Sequence, residues 1–145
     1  MLEHLKDRLS QVSSFHFTAK SGPQSKMYWN GHAEGSVEIG EGASSVTFIE
    51  SGIFHPRENT ETFNQRNVYR WEFLDDGVLV YQERRDIPVL LVKLVYKDSQ
   101  WQSEAAHHCG DDFYTLTVGL RDDSVNAVWT VTGPKKDERL EYYYR

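Results

Sequence analysis

From Ser14 almost to the C-terminus, apolar and polar residues alternate with period two, and turn formers interrupt the pattern about every ten residues. Such a chain can bury one face of each segment only by forming half-buried antiparallel strands. Phe15, Phe17 and Ala19 open the pattern. After a Ser-Gly-Pro-Gln-Ser turn at 21–25, a long strand is predicted from Met27 to Ile39. One of its faces carries Met27, Trp29, Ala33, Val37 and Ile39; the other carries Tyr28, Asn30, His32, Glu34 and Glu38. The apolar face thins to Gly31-x-Ala33-x-Gly35, and small residues at inward positions predict a bend or a close backbone approach.

Further strands are predicted at 44–54, 61–74, 78–85, 88–97, 100–108, 112–120, 125–132 and 138–144. The connections are short: Gly40-Glu41-Gly42, Pro56-Arg57-Glu58-Asn59, Asp75-Asp76-Gly77, Lys97-Asp98-Ser99, Arg121-Asp122-Asp123 and Gly133-Pro134. Asp76-Gly77 between Phe73 and Val78 is a hairpin signal. No connection holds a crossover helix, which excludes a parallel sheet. Greek-key connections of a sandwich would need longer loops. Twist brings the edges of so long a meander together. The expectation is therefore a mainly β, antiparallel up-and-down barrel, calycin- or lipocalin-like, of about eight to ten strands with an interior able to hold a small ligand.

Before the alternation begins, Leu2, Leu5, Leu9 and Val12 form one apolar stripe opposite Glu3, Lys6, Asp7 and Arg8. A short helix within 1–13 is predicted, docked on one end or flank of a barrel spanning 14–145. Together they make one domain over 1–145, a length sufficient for one core.

The aromatic share of 13% suits pleated, half-buried surfaces. A net charge of −6, with Arg84-Arg85 and Lys135-Lys136 each flanked by acids, argues against nucleic acid and anionic membranes as partners. The N-terminus lacks the apolar core of a secretory signal, and no stretch approaches the roughly 18 apolar residues of a membrane span. A cytoplasmic location is expected. Cys109 is the single cysteine, so no intrachain disulfide forms. There is no phosphate-binding glycine loop, G-x-S-x-G elbow or H-E-x-x-H helix, and neither a cofactor nor a metal is expected.

Three groups of polar residues stand out. His107, Cys109, Asp112 and Tyr114 lie in one cluster, and imidazole, thiolate and carboxylate are metal donors or nucleophile–base partners. Cys109 as a small buried hydrophobe and Asp112 as a turn residue explain the cluster equally well. Glu50, Arg70, Glu72 and Lys93 share parity with apolar neighbours, and an inward charge must be paired or neutralised. Around 69–73 the more apolar face is Tyr69, Trp71 and Phe73, which directs Arg70 and Glu72 outward. At the C-terminus, Tyr142 and Tyr144 point one way, Tyr143 and Arg145 the other. Glu83-Arg84-Arg85-Asp86 reads as a solvated strand end. Val89–Val95 is apolar on both faces, which predicts cover from the helix or from a second subunit in a homodimer.

His107-x-Cys109-x-x-Asp112-x-Tyr114, then Trp129-x-Val131-x-Gly133-Pro134-x-Lys136-Asp137 and Tyr143-x-Arg145, resembles an uncharacterised family of bacterial domains of roughly 140 residues, the size of one domain. Gly31-x-Ala33, Glu50-x-Gly52 and Arg66-x-x-Tyr69-x-Trp71 are also similar to it. The chain departs from that family where a D-G-R-x-F-H stretch is expected and Glu83–Leu90 stands instead. The resemblance implies a lipocalin-like barrel and no activity.

The leading functional expectation is a barrel binding a small, partly apolar molecule. Its contacts would come from His107, Cys109, Asp112, Tyr114, Lys136, Tyr143 and Arg145, with Trp29, Glu50, Tyr69 and Trp71 on the other wall. A second is an acid–base enzyme, hydrolase or isomerase, using His107 with Asp112. The third is a structural or interaction module acting as a homodimer.

Overall fold

The computed structural model describes residues 1–58, 60–84 and 87–145. Asn59, in one expected turn, and Arg85 and Asp86, in the expected charge run, lie outside the described residues. A helix, α1 (Leu2–Ser10), precedes the strands β1 (Ser14–Ser21), β2 (Gly31–Glu41), β3 (Ser45–Pro56), β4 (Phe63–Phe73), β5 (Val78–Arg84) and β6 (Ile87–Lys97). Then follow β7 (Gln100–Ser103), β8 (His107–Cys109), β9 (Asp112–Leu120), β10 (Val125–Thr132) and β11 (Asp137–Tyr144).

Each strand pairs antiparallel with its chain neighbour from β1 to β7, and β9, β10 and β11 continue the series back to β1. The ring closes as a ten-strand antiparallel barrel with one short N-terminal helix. Closure removes the sheet edges, which the alternation alone could not protect. The predicted strand at 100–108 is broken: Trp101 and Gln102 pair with Val118 and Thr117, while β8 pairs with the far half of β9. Glu104–Ala106 bridges the halves, its first amide bonded to the Lys93 carbonyl.

Inward positions hold the core. Phe15, Phe17, Ala33, Val46, Phe48, Trp71, Val80, Leu116, Ala127 and Tyr142 are all buried, and their strand neighbours mostly are not. The expected close approach is present where Gly35 lies opposite Gly52. A Cβ on Gly35 would overlap the Ser51 carbonyl, and one on Gly52 would overlap the Glu34 carbonyl. At Gly77 the hairpin forms as expected, with Phe73 opposite Val78, but no positive φ is used there. The absent side chain makes room for the Leu94 carbonyl instead. In the β6–β7 turn, Asp98 (φ 55) and Ser99 (φ 64) are left-handed, between the paired Lys97 and Gln100.

Two expectations about faces are corrected. The apolar run in β6 is explained by a bulge: Val80 pairs with Val92 and Tyr81 with Leu90, so Leu91 is an extra residue. Leu91 and Val92 are consequently both buried. The same shift places Lys93 outside, paired with Asp76 at 2.9 Å. Nor does the helix cover this strand. Its Lys6 bonds the Ala43 carbonyl and its Arg8 bonds the carbonyls of Arg121 and Ser124, so α1 lies across the end formed by the 42–44 and 121–124 turns. Leu5 and Leu9 are fully buried there. Arg70 and Glu72 face outward as the hydrophobic parity required, with Arg70 also bonded to Glu83. Among the described residues, no helix is long and apolar enough to cross a membrane.

Candidate functional site

With α1 across one end, the barrel opens at the other. A cavity of about 940 Å³ runs inward from that open end. Its deeper wall is aromatic: Phe17, Phe54, Tyr69, Tyr114, Trp129 and Tyr142 line it. Tyr142 lies 4.7 Å from Phe17 between ring centroids, and Tyr69 stacks near Trp129 at 6.0 Å.

One wall is polar. Inward parity on β4 runs Gln65, Asn67, Tyr69, so the strand that buries Trp71 deep in the core presents amides nearer the mouth. Gln82 Nε2 donates to Asn67 Oδ1 at 3.2 Å, and Arg84 Nε donates to Gln82 Oε1 at 2.7 Å. Arg84 Nη2 reaches across to the Tyr114 hydroxyl at 3.3 Å. Arg84 is exposed at the end of β5, as the charge run predicts, and it also lines the cavity. A guanidinium in such a row offers fixed donors to an acceptor on a bound molecule.

Near the floor the phenols are neutral donors. Burial raises the pKa of Tyr69, and it raises those of Tyr142 and Tyr144 well above the ordinary phenol value, with the charge of Glu50 adding to each. Glu50 is itself inward and fully buried, and burial pushes its carboxyl up to about 8. Hydrogen bonding from Tyr144 and Tyr142 offsets only part of this.

The mouth is built on a second buried carboxylate, which sequence reasoning missed. Glu138, 7% exposed, accepts from Ser21 Oγ at 2.5 Å and from Ser25 Oγ. Those hydroxyls accept in turn from the amides of Trp29 (2.7 Å), Met27 (3.1 Å) and Tyr28 (3.3 Å). The clamped segment holds Met27, Tyr28 and Trp29 at the rim, all exposed, facing the cavity with exposed Phe63. Tyr28 adopts φ 55, a strained conformation for an aromatic residue.

The expected site residues divide. Tyr69 and Tyr114 line the cavity, Lys136 stands at its mouth, and Trp29 lies on the rim loop rather than in a strand, because β2 begins only at Gly31. Asp112 holds Lys136 in a 2.9 Å ion pair. His107 and Cys109 sit opposite Tyr114 and Asp112 in the β8–β9 register and so share their face, but they are not among the cavity-lining residues. Among the described residues, no hydrogen bond joins His107 to Asp112. Glu50 and Trp71 lie deeper, in the packed core beneath the cavity. Tyr143 and Arg145 do not join the site. Tyr143 is on the outer face, bonded to Glu141 at 2.8 Å, and Arg145 is exposed at the helix end. Period two on β11 requires this, since Tyr142 and Tyr144 take the inside.

A row the sequence could not assemble lies on the outer wall: His32, Glu34 and His55 come together across β2 and β3.

No curated protein and no solved structure matches the chain. The family of unknown function DUF6314 matches residues 15–145, the whole barrel, and the chain belongs to that family.

Proposed function

We propose that the barrel binds a small, partly apolar molecule in its interior, in the manner of a calycin-like carrier or sensor. The observation that carries this reading is the one-ended cavity of about 940 Å³, within the range of about 300–1,000 Å³ typical of small-molecule pockets. Aromatic rings on its deeper wall suit a flat or branched apolar body, with the heat of contact and area burial both favouring entry. The Asn67–Gln82–Arg84 row and the Lys136 ammonium suit oxygen acceptors at the other end of the same molecule. Phenols held neutral, and a Glu138 carboxylate at the mouth already engaged by Ser21 and Ser25, suit recognition better than proton transfer.

Native mass spectrometry of the protein purified from its own host tests this and counts subunits in the same spectrum. The expected result is an organic adduct that is lost on denaturation and is absent from Ala19→Trp, which fills the wall. A native spectrum of bare protein, together with no displacement of an environment-sensitive apolar dye by host lipid or metabolite extracts, would overturn the reading.

A further inference from the structure

We infer that the outer wall of the barrel carries a site for a late first-row divalent cation, formed by His32, Glu34 and His55. His32 and His55 are direct cross-strand partners in the β2–β3 ladder, the pairing that brings side chains closest in an antiparallel sheet. Glu34, two residues beyond His32, lies on the same face and reaches both rings. Its Oε1 is 3.1 Å from His55 Nε2, and its Oε2 is 3.8 Å from His32 Nε2.

Nitrogen and oxygen donors from all three lie within 4.8 Å of one another. A cation bonded at about 2.0–2.2 Å to each would draw tetrahedral ligand atoms to about 3.3 Å apart. The glutamate–His55 pair already has that spacing, and the His32 ring closes the remainder by side-chain rotation. The two imidazoles stand nearly parallel, with centroids 4.8 Å apart and planes at 13°. His16 on β1 stacks on His32 at 5.9 Å and extends the row. Two neutral imidazoles and one carboxylate form a donor set suited to zinc, nickel or copper, with a position left for water.

The strand register aims these side chains away from the interior, where the adjoining Ala33 and Phe54 point. The site is therefore independent of the cavity and of any ligand bound there. A bound ion would tie β2 to β3 close to their rim ends, Gly31 and Pro56.

The test uses the full chain without a histidine tag. Zn²⁺ is titrated calorimetrically, and Co²⁺ is followed by its visible absorption. One equivalent of Zn²⁺ is expected to bind and to raise the unfolding temperature. His32→Ala and His55→Ala should each weaken binding at least tenfold and abolish the thermal shift, while His4→Ala and His108→Ala leave both intact. All four residues are at least partly exposed, so the variants should fold, which far-UV circular dichroism verifies. Absence of one-to-one binding at 100-fold molar excess of Zn²⁺, or binding that survives in the His32→Ala/His55→Ala double variant, would overturn the assignment.

Discussion

The hydroxyl of Tyr144 on β11 donates a 2.6 Å hydrogen bond to Oε2 of Glu50, a carboxyl with no solvent exposure on β3. The residues are 94 positions apart, so the contact exists only once the barrel has closed. It is an acid placed where a hydrophobe would be cheaper, and its protonation is coupled to folding.

Burial raises the Glu50 pKa from 4.5 to about 8. Between those values the folded chain keeps a proton that the unfolded chain releases. Stability therefore falls as pH rises through this window and is independent of Glu50 ionisation below it. The loss is at most about 1.4 kcal/mol per pH unit. Glu50→Gln keeps an acceptor for Tyr144 and removes the titration, so its stability curve should be flatter from pH 5 to 8 and cross above that of the parent at high pH. Urea denaturation at stepped pH measures this, and superimposable slopes for the two proteins would refute the coupling.

Gly35 and Gly52 face one another across β2 and β3, and the atoms that an added methyl would meet are mainly backbone. At Gly35 the three nearest are all backbone atoms, which cannot rotate away. Gly35→Ala should therefore cost about 1–3 kcal/mol, the usual range for overpacking. Gly119 has open space around its missing Cβ and no positive φ, so Gly119→Ala should be neutral or stabilising by less than about 1 kcal/mol. Thermal unfolding of the pair decides whether close approach, rather than glycine content, shapes this barrel.

The β6–β7 turn puts two non-glycine residues, Asp98 and Ser99, in the left-handed region. That is the backbone of a type I′ hairpin, for which Asn-Gly is the preferred sequence. Asp98→Asn with Ser99→Gly should stabilise the chain by roughly 1 kcal/mol, since a left-handed L-residue costs about 1–2 kcal/mol. An unchanged or lower denaturation midpoint would show that the turn is not strained.

The barrel was legible because burial on one face forces period two, and short turns leave few topologies open. Its ends were less so. Met27–Asn30 alternates like a strand yet forms the rim loop, since hydroxyls of Ser21 and Ser25 capture the backbone amides of Met27, Tyr28 and Trp29 that a ladder would otherwise use. The cavity wall was partly legible. Glu50 was singled out by parity, but Gln65 and Asn67 share the parity of Tyr69 and Trp71 and were the signal for a polar wall. Arg84 was hidden in a charge run. His32 and His55 are 23 positions apart, and only the register makes them neighbours.

The same capture gives the rim a specific vulnerability. Glu138 accepts from both serines that hold the 22–30 segment, and the Asp137 carboxylate accepts from the Gln24 amide. Truncation at Glu138→Ala leaves the part-buried Ser21 hydroxyl and the buried Ser25 hydroxyl without their acceptor, at a cost of about 1–3 kcal/mol. The effect on the rim should exceed the effect on the barrel, because the β1–β11 and β1–β2 ladders do not depend on that side chain. Lys26 is exposed within the clamped segment, so brief trypsin digestion reports its opening directly. Cleavage after Lys26 should accelerate in Glu138→Ala at temperatures well below unfolding, while Glu38→Gln, exposed on β2 outside the clamp, should match the parent. If cleavage speeds up only in proportion to global stability, the carboxylate is part of the general core rather than the fastening of the mouth.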